Sequence, residues 1–348
     1  MPQSSEQTVR FLNELKEDLD IQSLRERLKP QSPNLKPLPD RIPAGNDHSD
    51  SGLLKRREFL RSAGCLPESL CKDTAEISPE SLKGAVENFI GFASIPVGVV
   101  GPLRINGLFA QGDFYIPFAT TEGALVASYH RGAHAVSRNG GVTTLCISES
   151  ISRAPAFTFN SIVDAGLFIE WALSNLTTFK ELTKETTRHG SLIDVRPALN
   201  SNTAFLIFEF KTEDAAGQNM VTVATEKICR WIVECSPIKP DAWYVEGNLS
   251  GDKKATMLSF LSHRGRKVVA EAVLDKTDVH RFLHSSPEAM TEYSRISTLG
   301  GIQSGSIGVQ GHYANALAAI FLCCGQDVAC LAEASVGITT MQVNKNGD

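Results

Sequence analysis

The sequence predicts an α+β fold in which a small β-α-β-β-α-β domain interrupts a large mixed domain. Three observations carry this. The length of 348 residues sets a prior of about two domains, and 42% apolar residues suffice for large cores. Strand and helix signals alternate over 155–245 in the order of the split βαβ, or ferredoxin-like, plan. Hairpin, strand and helix signals stand on both sides of that block, over 53–154 and 246–348, so the block reads as an insertion.

Residues 1–52 read as an N-terminal tail and linker, partly disordered. Leu12 to Leu28 has helical spacing among many charges, and Pro30 to Ser51 is rich in Pro, Asn, Asp and Ser. Leu53 to Ala63 carries Lys55, Arg56, Arg57 and Arg61, a solvated helix face or a basic patch facing a nucleotide. Glu87 to Gly91 leads into Ile95 to Leu103, and Gly91, Gly98 and Gly101 with Pro96 and Pro102 make tight turns against a core. Strands follow at 103–105 and 108–116, with Asn106-Gly107 as the hairpin turn between them. In Pro117 to Ala127 a threonine serves as helix N-cap and puts Glu122 in the first turn. The carboxylate there either complements the helix dipole or, among small and apolar neighbours, is buried for a purpose. Val142 to Ile147 is strand-like, and Arg153 stands just before Ala154-Pro155.

The inserted block opens with a strand at 156–159 and a helix at 162–176. Strands at 191–195 and 204–210, a helix at 219–235 and a last strand at 242–245 complete it. Before its second helix, Asp214 to Met220 contains small residues and Gly217, which let backbone N–H groups approach a phosphate. It lacks the GxGxxG turn of a standard dinucleotide fold. Thr186 to Gly190 holds Arg188, either a loop cation in water or a two-pronged grip on phosphate.

The loop Gly247-Asn248-Leu249-Ser250-Gly251-Asp252-Lys253-Lys254 sets two ammonium groups beside a carboxylate. Such a triplet is usually a solvated turn. It also suits a site where a carbonyl oxygen gains negative charge, because a neighbouring carboxylate keeps lysine charged and aimed. Lys267 to Val273 is a strand, and five glycines between 300 and 311 allow close backbone approach. His312 and Asn315 then share a helix face, and that helix ends near Gly325-Gln326-Asp327. Ile338 to Val343 reads as a strand with Asn344 to Asp348 as its turn.

A net charge of -5 gives no general reason to expect nucleic acid or an anionic membrane as partner. The eight cysteines show no CxxC or CxxH spacing, so no metal site is expected. With no signal-peptide pattern, a reducing, cytoplasmic setting is the default expectation. No apolar run approaches the ~20 residues of a membrane span.

Six segments appear in unbroken order over about 85 to 345: ENFIG with IPVGVVGPL, FATTEG, DAAGQNM, GNLSGDKK, GSIG with HYAN, and CGQD. Together they resemble the 3-hydroxy-3-methylglutaryl-coenzyme A (HMG-CoA) reductase family, in its eukaryote-like class without a membrane anchor. The resemblance implies a large substrate-binding domain with an inserted NADP-binding domain, and a four-electron reduction by two NADPH. A thioester would become mevaldehyde, then mevalonate, with release of coenzyme A. It implies that Lys253 stabilises the carbonyl oxyanion, Glu122 supplies a proton to the aldehyde oxygen, and Asp327 tunes the pair. Arg153, Asp252, Lys254 and Asn315 would bind substrate. Asp214, Ala216, Gln218 and Asn219 would line NADPH, and Thr187 and Arg188 its 2′-phosphate. A homodimer or homotetramer with interface active sites is implied.

The sequence departs from that family in one large respect. The family continues beyond this point with further strands, a glycine-rich segment and a late histidine that protonates the departing thiolate. None of the eight histidines here follows Asp327, and His312 matches a different position. The expectation is therefore of a C-terminally truncated chain. It is either a reductase fragment or a catalytically poor homologue that binds a coenzyme A thioester or joins mixed oligomers. Glu246, where many members have a small polar residue, and Leu331, where some have asparagine, are smaller departures.

Overall fold

A computed structural model describes residues 20–45, 47, 49–66, 92–261 and 264–348, with 9, 13, 85, 88 and 90 singly. Most of the ENFIG segment and the first half of the expected helix at 12–28 lie outside the described residues. The second half is α1 (Ile21–Leu28), which starts where the Asp20 carboxylate accepts the N–H groups of Gln22 and Ser23. Next, α2 (Asp50–Ser62) is capped by Ser49. Of its basic residues, Arg56 is spent on the carbonyl oxygens of Ala44 and Asp47, and Arg61 on Glu58.

β1 (Val97–Gly107) and β2 (Gln111–Ala119) form an antiparallel hairpin with Asn106 opposite Gln111. The turn therefore falls after Gly107, not at Asn106-Gly107. Asn106 is fully buried, and its amide donates to the Gly140 carbonyl at 2.8 Å. A side chain satisfied that way belongs to a strand, not to a solvent-facing turn. α3 (Leu125–Arg138) packs on this hairpin, with Val100, Phe118, Leu125 and Ala133 at the contact.

β3 (Val142–Arg153) is the spine of the molecule. Its first residues pair parallel with β1, and its length pairs antiparallel with β8 (Gly265–Glu271). Its last three residues cross to pair with residues 208–210 of a second group of strands. Beyond it lie β4 (Ala156–Thr158), α4 (Ile162–Ser174), α5 (Leu176–Lys184), β5 (Ser191–Asn200), β6 (Thr203–Lys211), α6 (Gln218–Cys235) and β7 (Ala242–Tyr244). These four strands run in the order β7-β4-β6-β5, each antiparallel to its neighbour. Phe157, Phe168, Phe179, Phe208, Ile228 and Ile232 are fully buried in one cluster beneath the three helices. The single helix expected over 162–176 is thus followed by a second, α5.

The C-terminal part holds α7 (Pro287–Ser304), α8 (Tyr313–Cys323) and α9 (Leu331–Ala334). His312 precedes α8 with φ 62°, so it does not share a helix face with Asn315. The strand expected at 338–343 is one parallel bridge, Val309 to Ile338. A turn does form at 344–347, where the Gly347 N–H reaches the Asn344 carbonyl. Among the described residues no helix is long and apolar enough to cross a membrane.

Residues 20–41 are seated on the hairpin rather than left as a loose linker. Arg104, in β1, has a side chain only 2% exposed. It donates to both oxygens of Asp113 at 2.8 and 3.0 Å, and to the carbonyl oxygens of Gln31, Lys36 and Pro37. A proline-rich segment leaves its carbonyls free of helix or sheet, so they can solvate a buried guanidinium. Thr143 bonds the Leu28 carbonyl and Tyr115 the Asp40 carbonyl. Arg104→Ala is expected to destabilise the fold by about 3–5 kcal/mol, since it strands the Asp113 carboxylate. It should also open 20–41 to proteolysis. Denaturant unfolding and limited digestion check both.

Candidate active site

The loop from Glu246 to Lys254 is held at many points. The Gly247 N–H donates to Ala154 O at 2.6 Å, and Ser152 Oγ to Ser250 O at 3.2 Å. A Cβ on Gly247 would stand 2.8 Å from both the Ala156 Cβ and the Phe205 ring, so only glycine lets the loop this close to the sheet. Asn248 and Lys253 both take left-handed φ, 66° and 55°. Such backbone persists in residues with a side chain only where neighbours impose it. For Lys253 the neighbour is Glu333, whose Oε2 accepts the Lys253 N–H at 2.7 Å.

The other end of Lys253 meets Asp327, with Nζ to Oδ2 at 2.7 Å. Asp327 Oδ1 also accepts the Ala329 N–H, which caps the turn Val328–Cys330. The hydrogen bond that Lys253 donates to Asp327 raises the pKa of Lys253, and the same bond, helped by the Ala329 N–H, lowers that of Asp327. Both side chains are about half exposed.

Behind this pair lies a buried polar network. Arg153 donates to Asp252 at 2.7 Å, to Thr222 at 3.0 Å and to Gln218 at 3.3 Å, and faces Glu246 at 3.6 Å. Arg264, its side chain 3% exposed, reaches Asp252 at 3.0 Å, Glu333 at 3.1 Å and Gln218 at 2.7 Å, and also donates to Ser152 O. Burial pushes the Asp252 carboxyl up, but the Arg153 hydrogen bond and the charges of Arg264 and Arg153 outweigh it, so its pKa is lowered. Lys254 turns its ammonium back to the Asp252 carbonyl.

Glu122 differs from the expectation. It is exposed, and it lies in the turn before α3, not in the first helical turn. Thr120 accepts the Glu122 N–H at 3.0 Å, and Ala124, at φ 64°, redirects the chain so that the helix starts at Leu125. Asn315 donates to Glu122 Oε2 at 2.5 Å. Asn315 stands in the first turn of α8, whereas Asp327 follows the end of that helix, which spans roughly 16 Å. Among the described residues no ion pair or hydrogen bond joins Glu122 to Lys253.

The two segments expected to hold NADPH meet at Met220. Thr187 Oγ1 lies 2.9 Å from the Met220 sulfur, and a Cβ on Gly190 would stand 2.8 Å from the Met220 methyl. Asp214, Ala216, Asn219 and Arg188 are exposed. Gly217, at φ 73°, precedes α6, whose N-terminus has no side-chain cap. Gln218 turns its side chain away, toward Arg264, Arg153 and Cys330. Sequence reasoning missed Arg264 and Glu333. No spacing rule links an arginine before a strand to a glutamate on a distant short helix.

The family model for hydroxymethylglutaryl-coenzyme A reductase matches residues 52–348. The 3-hydroxy-3-methylglutaryl-coenzyme A reductase of Methanocaldococcus jannaschii is 40% identical over 300 residues, 84% of this chain and 73% of that protein. That of Pyrococcus abyssi is 44% identical over 277 residues, 78% and 67% of the respective chains. A class II reductase of Streptococcus pneumoniae, solved bound to NADPH, shares the fold with a TM-score of 0.64 at 18% identity, covering 83% of this chain and 75% of that one. With the family model matched across 52–348 and the lysine loop paired to the CGQD aspartate, the chain belongs to the hydroxymethylglutaryl-coenzyme A reductase family.

Proposed function

We propose that this chain reduces HMG-CoA to mevalonate and coenzyme A in two NADPH-dependent steps. The observation that carries the reading is the Lys253–Asp327 pair, 2.7 Å apart at the tip of the pinned loop. It presents a cation whose charge is reinforced, which is what a carbonyl oxygen gaining negative charge requires. Lys253 takes that oxygen in both steps, and Asp327 holds the ammonium charged and oriented. Lys254 reaches the substrate's carboxylate by leaving the Asp252 carbonyl, and Asn315 meets the substrate's polar groups together with Glu122, its hydrogen-bond partner. Arg153 and Asp252 are committed to each other, so they act on substrate chiefly by shaping the loop.

The residues fit NADPH. An uncapped helix start beside exposed Asp214, Ala216 and Asn219 offers backbone N–H groups to a phosphate. Exposed Arg188, on the turn packed against Met220, is placed for a 2′-phosphate. Gln218 would contribute through its main chain only. When bound, NADPH supplies the hydride. The strand order β7-β4-β6-β5 supports reading 155–245 as the ferredoxin-like nucleotide domain.

Glu122 remains the proton donor for the aldehyde oxygen in this reading. Within one chain it stands at the far end of α8 from Lys253, so the donor comes from a neighbouring subunit of a homo-oligomer. The apolar side chains of α7 support this: Tyr293, Ile296, Leu299 and Ile302 are all more than half exposed, and the helix has no buried residue.

Lys253→Ala is expected to lower kcat by about 10²–10³-fold, the usual cost of removing an oxyanion donor. NADPH consumption with HMG-CoA measures it, and an unchanged rate defeats the reading. A wild-type chain that binds the thioester without consuming NADPH supports the catalytically poor alternative.

The pH dependence follows from the two shifts. Asp327, lowered, keeps its share of the pairing above the ordinary carboxylate range and loses it as pH falls through the depressed value. Lys253, raised, keeps its share below the ordinary lysine range and loses it as pH rises through the elevated value. Asp327→Asn therefore moves the basic limb of the kcat profile to lower pH and weakens reduction of free mevaldehyde. A limb that stays in place contradicts the coupling.

Arg188→Ala should raise KM for NADPH by roughly tenfold or more and leave KM for NADH nearly unchanged, the loss of one charge-assisted contact. Equal use of both nucleotides by the wild-type protein would rule out this role.

A further inference from the structure

Lys253 is gripped at two points by one short stretch of chain, 327–333. Asp327 takes its ammonium, and Glu333 takes its backbone N–H at 2.7 Å. The second contact falls on a residue with left-handed backbone, φ 55°. Lysine does not prefer that backbone, so a neighbour must hold it. The Glu333 side chain, 9% exposed, is itself fixed by the Arg264 guanidinium at 3.1 Å. Arg264 also holds Asp252, the residue just before Lys253, and Gln218, the first residue of α6.

We infer that Glu333 and Arg264 are positioning residues for the reductase reaction: Glu333 sets the backbone from which Lys253 projects, and Arg264 locks Glu333 to the lysine loop and to the start of α6. Neither touches the reacting atoms. Their effect on chemistry passes through the direction of the Lys253 ammonium. The charged and titratable groups around that ammonium are Asp327, Asp252 and Cys330, with Glu333 at the backbone end. Removing Glu333 leaves the Asp327 contact formally intact but frees the backbone torsion that aims it. A shift of about 1 Å in a catalytic group costs on the order of a hundredfold in rate. Arg264 ties the same lock to α6, so the lysine and the nucleotide segment keep a common frame.

The inference rests on the reductase reading of Lys253, and the test separates the two. In the full chain, kcat and KM for HMG-CoA and NADPH are measured for wild type, Glu333→Ala, Glu333→Gln and the double variant Arg264→Met/Glu333→Leu. The acylation rate of Lys253 by limiting acetic anhydride is read in parallel by peptide mass spectrometry. Glu333→Ala should lower kcat by about a hundredfold with little change in KM, the pattern of an interaction lost in the transition state. It should also speed Lys253 acylation, because the ammonium leaves Asp327 more often. Glu333→Gln keeps an oxygen for the Lys253 N–H, so it should recover part of kcat. The double variant removes the Arg264–Glu333 pair together while Asp252 keeps Arg153, so it should fold with less loss of stability than Glu333→Ala and still have low kcat. A double variant with wild-type stability and wild-type kcat overturns the inference. So does an unchanged acylation rate in Glu333→Ala, or a loss confined to KM. If the wild-type chain consumes no NADPH, the reductase reading fails, and the acylation rates still decide whether Glu333 orients Lys253.

Discussion

One lysine is held by both of its ends, and the C-terminal part of the site is arranged around that fact. The ammonium of Lys253 is bound by Asp327 and its main chain by Glu333, and both carboxylates belong to a single short segment. A long, flexible side chain has much rotamer freedom to lose. Anchoring the backbone as well as the tip removes more of that freedom than a surface ion pair can. Exposed ion pairs alone hold little. Here the exposed pair is backed by the buried contact between Arg264 and Glu333.

A buried arginine ties sheet to loop at three places. Arg104, Arg153 and Arg264 all have side chains less than about one-eighth exposed. Each binds a carboxylate and at least one further oxygen. A buried guanidinium carries five N–H donors in a planar fork and cannot shed its charge. It therefore recruits every oxygen within reach, main-chain carbonyls included. Arg104 draws residues 31–37 onto the hairpin, while Arg153 and Arg264 tie the lysine loop to β3 and α6. These loops are ordered by a cation's need for acceptors more than by apolar burial.

β3 makes the arrangement coherent. It begins in the sheet of the hairpin and ends against β6 of the other core, with Arg153 as its last residue. The network around Arg153 and Arg264 thus lies at the junction of the two cores. The start of α6 reaches it through Gln218, and the lysine loop through Asp252.

Local signals were enough to read most of the secondary structure. The aromatic and β-branched runs became β5 and β6, the spaced apolar residues became α4 and α6, and Gly217 opened a helix as its lack of a Cβ permits. The order of motifs was likewise enough to point to the reductase family, because family motifs are linear. What the sequence alone could not convey was which charges meet. Pro30 to Ser51 read as a linker by composition, yet Arg104, far along the chain, holds 31–37 in place. Glu122 read as a helix residue, yet a left-handed Ala124 sets it outside the helix and leaves it to Asn315. Arg264 and Glu333 carried no motif at all. Their meeting depends on where β8 starts and where the chain turns after α8, and those positions are set by packing. Periodicity and turn chemistry act over a few residues, so the sequence determined the elements and the family. Charge pairing acts through space, so only the tertiary structure decided which carboxylate holds which cation.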